Sequence, residues 1–332
     1  MESYFLLKFY PCIATSVVSS YIERMKGYLH LLIGIGALAG QWAMAAEAKP
    51  EEKTYLRFQE KEKGAALEVG IITMQHKASG AKVDLVGAVH IGDQAYYEGL
   101  NKDFRKYESV LYEMVKPANM DPGNLPKDRP QSGVSVIQKF MKSQLDLAYQ
   151  LDEVDYSAKN FVHADMTTKQ FAKRQQARGE NMFKLMFKMM QQDLAQRSKG
   201  KGVADISTLE LIRALLSPTR SVELKYLLAR QFNEMERLTA GLDADGGSVI
   251  LTDRNKVALQ VLRKQLQGGK KNLAIFYGAA HLPDMEKRMI EKMGFERKGM
   301  RWVAAWDLPE RKKLPSRKPI KPQSVPVPAP KQ

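Results

Sequence analysis

Two histidines occupy the same sequence setting far apart in the chain: His90 ends the run "VDLVGAVH" and His281 ends "LAIFYGAAH", each three residues after a glycine, Gly87 and Gly278. In both, an apolar run of strand-like composition leads into the glycine and the start of a helix comes next. Asp93 is placed to cap the first helix and Pro283 to open the second. Residues three apart in a straight strand face opposite sides. Each glycine is therefore expected to mark where its strand ends and turns, with the histidine between the carboxyl end of a strand and the amino end of a helix. Open α/β sheets bind ligands in that crevice, and a helix amino end favours an anion or a developing oxyanion. Two imidazoles brought there from distant strands could supply half of a metal site or an acid–base pair. Each could equally be a hydrogen-bonded strand-end residue without chemistry.

A carboxylate is available for the same edge. Glu113 stands in "VLYEMV", near the carboxyl end of the next apolar run, where a charge is costly unless paired, hydrogen-bonded or metal-bound. His90, Glu113 and His281 together make a two-histidine, one-carboxylate set with room for water, and a metal-bound water attacking a polarised carbonyl is the economical reaction for it. A surface-facing strand glutamate is the alternative. In "FVHADMT", His163 and Asp165 could approach the same pocket as substrate-binding groups. A turn in which Asp165 caps a helix starting near Thr167 explains them without chemistry.

The surrounding pattern supplies the elements these residues need. "LEVGIITM" from Leu67 and "VDLVGAV" from Val83 read as paired strands or a hairpin. Tyr96, Leu100, Phe104 and Tyr107 recur at helical spacing, and "SVLYEMV" from Ser109 is the next strand. Strand, helix, strand implies a right-handed crossover to a parallel neighbour. The proline-rich segment after Glu113 reads as a loop forming a lid or the rim of a site. Helical pattern then runs from Val134 to about Arg197, broken by a short β-like stretch at Asn160, and resumes over about 205–240 and 252–267. The Met-rich "MFKLMFKMMQQDL" at Met182 reads as core or a helix–helix seam. A strand returns at "NLAIFYGAAH", and a hairpin-like piece, "FERKGMRWVAAWDL", closes the body. The expected fold is α/β: a mixed, mostly parallel central sheet flanked by helices, with a helical insert at about 134–267 between the two Gly-x-x-His halves.

"VGAVH", "LYEMV", "TDRN" and "FYGAAHLPDM", in this order, resemble the TraB/PrgY/GumN family, which includes the TIKI proteins and is thought to share its fold with erythromycin esterase-like and ChaN-like proteins. The resemblance spans about Leu67 to Leu308. It implies two Gly-x-x-His motifs, a strand glutamate between them and an Arg-Asn pair before the second, matched here by His90, Glu113, Arg254-Asn255 and His281. It further implies metal-dependent hydrolysis, with peptide or protein as substrate and a divalent ion such as Mn, Co or Zn held by His90, His281 and Glu113. Arg254, an always-charged fork, suits a substrate carboxylate or an oxyanion; a solvated helix arginine is the alternative. Two rivals remain: a metal-independent, esterase-like hydrolase in which a histidine activates water, and a non-catalytic protein that sequesters a peptide or ligand in the same crevice.

The chain ends bear on location and partners. From Met25, "MKGYLHLLIGIGALAGQWAMAAEAKPEEK" has the order of charged region, apolar run and small-residue cleavage site of an export signal, with cleavage expected after Ala45. The apolar run is shorter than the ~20 residues that span a bilayer, so removal is expected over membrane anchoring, and the protein is expected to be periplasmic or secreted. The chain divides into three regions: 1–45 as extension and signal, 46–310 as the α/β domain, and 311–332 as a Pro/Lys-rich extended tail. Of the formal net charge of +15, that tail supplies +7, residues 1–45 supply +1 and the body the remaining +7. No nucleic-acid partner is expected, because the body carries no RRM, KH or helix-turn-helix pattern. The basic tail better suits anionic membrane or cell-wall polymer. The single cysteine, Cys12, excludes an intramolecular disulfide framework. Terminal sequencing of the mature protein should find its first residue at or near Ala46; retention of residues 1–45 would replace export with anchoring or a cytoplasmic location.

Overall fold

The computed structural model describes residues 54–124, 145–180, 208–240 and 247–311, with positions 191 and 206. The expected leader, the Met-rich stretch apart from Gln191, and the tail beyond Arg311 lie outside the described residues. Chain order is β1 (Leu56–Glu60), β2 (Ala65–His76), β3 (Lys82–Ala88), the two-residue β4 (Ile91–Gly92), α1 (Gln94–Phe104), β5 (Ser109–Tyr112), β6 (Ala148–Tyr149), α2 (Gln150–Glu153), β7 (Phe161–His163) and α3 (Thr168–Arg178). Next come α4 (Thr208–Leu216), α5 (Arg220–Ala240), α6 (Arg254–Gln267), β8 (Asn272–Gly278), α7 (Leu282–Met293) and β9 (Phe295–Leu308).

The fold is α/β, with a mixed seven-stranded sheet flanked by helices. Four strands, β3, β8, β5 and β7, lie side by side and parallel. The inner pair explains itself from sequence: "KVDLVGA" and "NLAIFYG" are nearly continuous apolar runs, as strands covered on both faces must be. β2 runs antiparallel to β3 and pairs along its whole length with β9; β1 takes the part of the remaining edge that β3 leaves. Helix faces close the core. Tyr96, Tyr97, Leu100 and Phe104 are buried on α1, and Leu282, Met285 and Met289 on α7, at spacings that keep them on one stripe. No described helix is long and apolar enough to cross a membrane.

Three local expectations are corrected. Gly87 is not the end of its strand: it pairs with Tyr277 inside β3, which continues through Ala88. A Cβ at Gly87 would stand 2.5 Å from Val69 Cγ2 and 3.0 Å from the Gly70 carbonyl oxygen, so glycine is needed for the close approach of β2. Gly278, by contrast, does end β8. The closing segment is no hairpin but one strand of 14 residues; Gly299 sits opposite Thr73 beside a register shift, so the glycine marks a bulge. Asp93 occupies the cap position of α1 without capping it. Its carboxylate instead accepts from Lys225 Nζ at 2.9 Å and from the Asp307 N–H at 2.6 Å, tying α5 and β9 to the β4–α1 corner.

Gly87→Ala should therefore cost about 1–3 kcal/mol, the usual penalty of overpacking a filled core. Chemical denaturation of the variant measures it, and an unchanged midpoint would mean that β2 and β3 can separate freely.

Candidate active site

The register of the parallel strands brings their carboxyl ends to one edge: Ala88 pairs with Gly278, Tyr112 with Phe276, and Tyr112 with His163. The chain leaves β3 toward His90, β5 toward Glu113 and β8 toward His281, so three groups far apart in sequence meet there. A methyl built on Gly278 would stand 3.4 Å from Glu113 Oε2, 3.6 Å from His281 Cδ2 and 4.0 Å from His90 Nε2. Gly278 is thus the floor around which all three are gathered.

Each imidazole is held by an amide. Asn255 Nδ2 donates to the His281 carbonyl oxygen at 3.2 Å and to Asp284 Oδ2 at 2.8 Å, which turns Asn255 Oδ1 toward His281 Nδ1, 2.6 Å away. Nδ1 of His281 therefore carries a proton and Nε2 faces Glu113 Oε1 at 3.5 Å. On the other side, Gln150 Nε2 donates to the Tyr156 hydroxyl at 2.8 Å while Gln150 Oε1 receives His90 Nδ1 at 2.9 Å. His90 is exposed and His281 buried, so one imidazole forms the lip of the site and the other its inner wall.

Glu113 begins where β5 ends. Its Oε2 accepts the Gly278 N–H at 2.6 Å and its Oε1 accepts Arg254 Nη2 at 2.5 Å. Burial alone would raise the carboxyl, but the facing His281 ring and the Arg254 guanidinium hold it well below the usual carboxylate range. Arg254 opens α6 immediately after a π-helical turn, Val249–Asp253, whose amino end is capped by Ser248. Irregular turns of this kind recur at functional sites. The guanidinium is also gripped by Asp165: Nε reaches Oδ1 at 3.0 Å and Nη2 reaches Oδ2 at 2.6 Å. Although burial opposes charging it, the two carboxylates raise its already high pKa further.

The structure thus brings together His90, Glu113, Arg254, Asn255, His281 and Asp165. Asp165 does not cap α3. Thr167 does so, in a reciprocal box with Gln170, and the Asp165 side chain is buried against Arg254. Nor is the Arg254 fork open for a substrate carboxylate, since Asp165 and Glu113 occupy it. His163 remains apart: Nε2 donates to the Met114 carbonyl oxygen at 2.7 Å, and burial lowers its pKa. Gln150 escapes sequence reading, since a lone glutamine carries no pattern.

The donor types suit a metal ion: two imidazoles whose Nδ1 atoms are engaged by amides keep Nε2 as the ligating nitrogen, as second-shell partners impose on ligating histidines, and His281 Nε2 faces Glu113. Among the described residues, however, no three His, Cys, Asp or Glu side chains already close into a metal cage. No protein-family model, no curated protein and no solved structure matches the chain.

Arg254→Leu should destabilise the fold by about 3–5 kcal/mol, because it strands two buried carboxylates without their cation. Since the Glu113 carboxyl titrates lower in the folded than in the unfolded chain, its contribution is present above about pH 4.3 and is lost as pH falls through its folded value. The deficit of the variant against wild type should therefore narrow in acid. Thermal unfolding from pH 7 to pH 3 checks this, and a pH-independent deficit would show that Arg254 acts by packing alone.

Proposed function

We propose that this crevice is the active centre of an exported hydrolase of the TraB/GumN type that cleaves peptide bonds with the help of a divalent ion, Mn, Co or Zn. The observation that carries the reading is the convergence of His90, Glu113 and His281 around Gly278, from the ends of three strands, with both Nε2 atoms left to the crevice. His90 and His281 would hold the ion through Nε2, with Glu113 beside them. When bound, the ion supplies Lewis acidity and a water of lowered pKa.

The chain's own groups have separable tasks. Asn255 and Gln150 fix the rings and their tautomers. Arg254 and the Gly278 N–H keep Glu113 ionised, so its work is to place a fixed negative charge against the His281 edge. A carboxylate held that low is a weak proton acceptor. With His90 Nδ1 bonded to Gln150 and its Nε2 given to the ion, a proton released at the lip would pass to solvent. Arg254 positions Glu113 and does not itself grip substrate.

One observation favours the metal-independent variant of the same chemistry. Both Glu113 oxygens are already engaged, by Gly278 and Arg254, which weakens them as ligands. In that case His90 alone activates water.

Mature protein stripped of metal and assayed on a peptide library, with each divalent ion restored in turn, separates these readings. Ion-dependent product is expected; ion-independent product would select the histidine mechanism, and no product under any condition would leave a sequestering protein. Replacing His90 or His281 with alanine should lower turnover by at least ~10²-fold. Metal affinity should fall as pH is lowered, because only neutral imidazoles ligate. Wild-type metal content in the double alanine variant would remove both histidines as ligands.

A further inference from the structure

Helix α3, "TKQFAKRQQAR", buries no residue and carries four cations and no acid. A helix whose apolar face amounts to one half-buried side chain, Phe171, needs another source of stability, and the usual one, oppositely charged pairs a turn apart, cannot operate here. Lys169 and Lys173 even stand one turn apart with like charge. The helix is held at its ends instead. At the amino end, Thr167 and Gln170 form the capping box, two residues beyond Asp165. At the carboxyl end, Gly179 takes the left-handed conformation, and Arg178 grips Asp253 through Nε at 2.9 Å and Nη2 at 3.1 Å and the Gly247 carbonyl oxygen through Nη1 at 3.1 Å. Asp253 precedes Arg254. Both ends of α3 are therefore anchored beside the two partners of the buried Asp165–Arg254 pair, which in turn holds Glu113. Lys169, Lys173 and Arg174 are exposed, and none forms an ion pair with another described residue.

We propose that α3 is a docking rail for an acidic stretch of the peptide that the crevice cleaves. Four residues of helix advance about 6 Å, and alternate side chains of an extended chain are about 6.6 Å apart. Lys169 and Lys173 thus match acids at every second position of an extended peptide, with Arg174 further around the helix to meet a flanking acid. The like-charged surface, unfavourable in the free protein, is relieved when such a segment lies along it. The inference rests on the peptidase reading for the substrate class, but binding can be measured without turnover.

The test uses the mature protein in chelator, so that nothing is cleaved. Fluorescence anisotropy would follow a labelled peptide of alternating Glu and Thr and its Gln–Thr counterpart, at low and high salt. Wild type should prefer the Glu peptide, and the preference should fade as salt rises. Charge reversal, K169E with K173E and R174E, should weaken the Glu peptide at least about tenfold, the sum expected of three exposed charge contacts, and leave the Gln peptide unchanged. The neutral set K169Q, K173Q and R174Q gives the same reading if reversal disturbs the helix. Equal affinity for the two peptides, or undiminished Glu-peptide binding by the neutral set, would overturn the proposal. So would a preference of wild type for anionic vesicles or a phosphate polymer over the Glu peptide. Peptide turnover without acidic preference would sink the rail and spare the hydrolase; acidic preference without turnover under any ion would do the reverse.

Discussion

Arg254 is a single cation shared by two carboxylates that reach it from different strand ends, and the geometry of the crevice depends on that sharing. Asp165 takes one edge of the guanidinium, and Glu113 takes the remaining hydrogen of Nη2. Burial of so many charges is expensive, and only dense pairing offsets it. A lysine could not take this place, because a point charge cannot present two parallel donors to one carboxylate and a third to another. The pairing also links three segments of sequence: the turn after β7, the end of β5 and the first residue of α6. None of these could shift alone without exposing a charge to apolar surroundings.

The same sharing sets the state of Glu113. Its two oxygens are held from opposite sides, by a fixed cation and by a backbone N–H at the end of β8, so it stays an anion and stays in place. Counting the carboxylates against Arg254 leaves one negative charge in excess, directed at the buried edge of His281. A positive charge brought to that edge is electrostatically favoured there. Tyr277 lies edge-on to the same ring, 5.1 Å between centroids, and its hydroxyl is committed to the Ala164 carbonyl oxygen. His281 thus has one polar direction left open, toward the crevice.

Much of this is legible in sequence because it is local. Apolar runs mark β2, β3, β5 and β8, and the recurrence of Gly-x-x-His identifies both histidines. Glu113 is visible because a lone charge beside an apolar strand demands a partner. The long-range partners escape. Asp165 resembles a helix cap because an acid two residues before a threonine is a common local arrangement, whereas its true partner lies 89 positions away. Arg254 is legible as a cation and illegible as a buried one, since nothing local says that two carboxylates will fill its fork. The closing segment reads as hairpin-like, although a glycine within a long edge pairing, here Gly299, serves equally well as a bulge.

The two Gly-x-x-His motifs, alike in sequence, serve unlike physical ends. In the first, the glycine permits β2 to approach and the chain continues extended into the short pair formed by β4 and β6, so His90 reaches solvent. In the second, the glycine lies beneath Glu113 and both histidines and the chain coils at once into a 3-10 turn and α7, which buries His281. Sequence similarity here reports a shared position at the carboxyl edge of a parallel sheet. The difference comes from the backbone beyond each histidine: an extended bridge leaves His90 exposed to water, and a helix fixes His281 against a permanent anion.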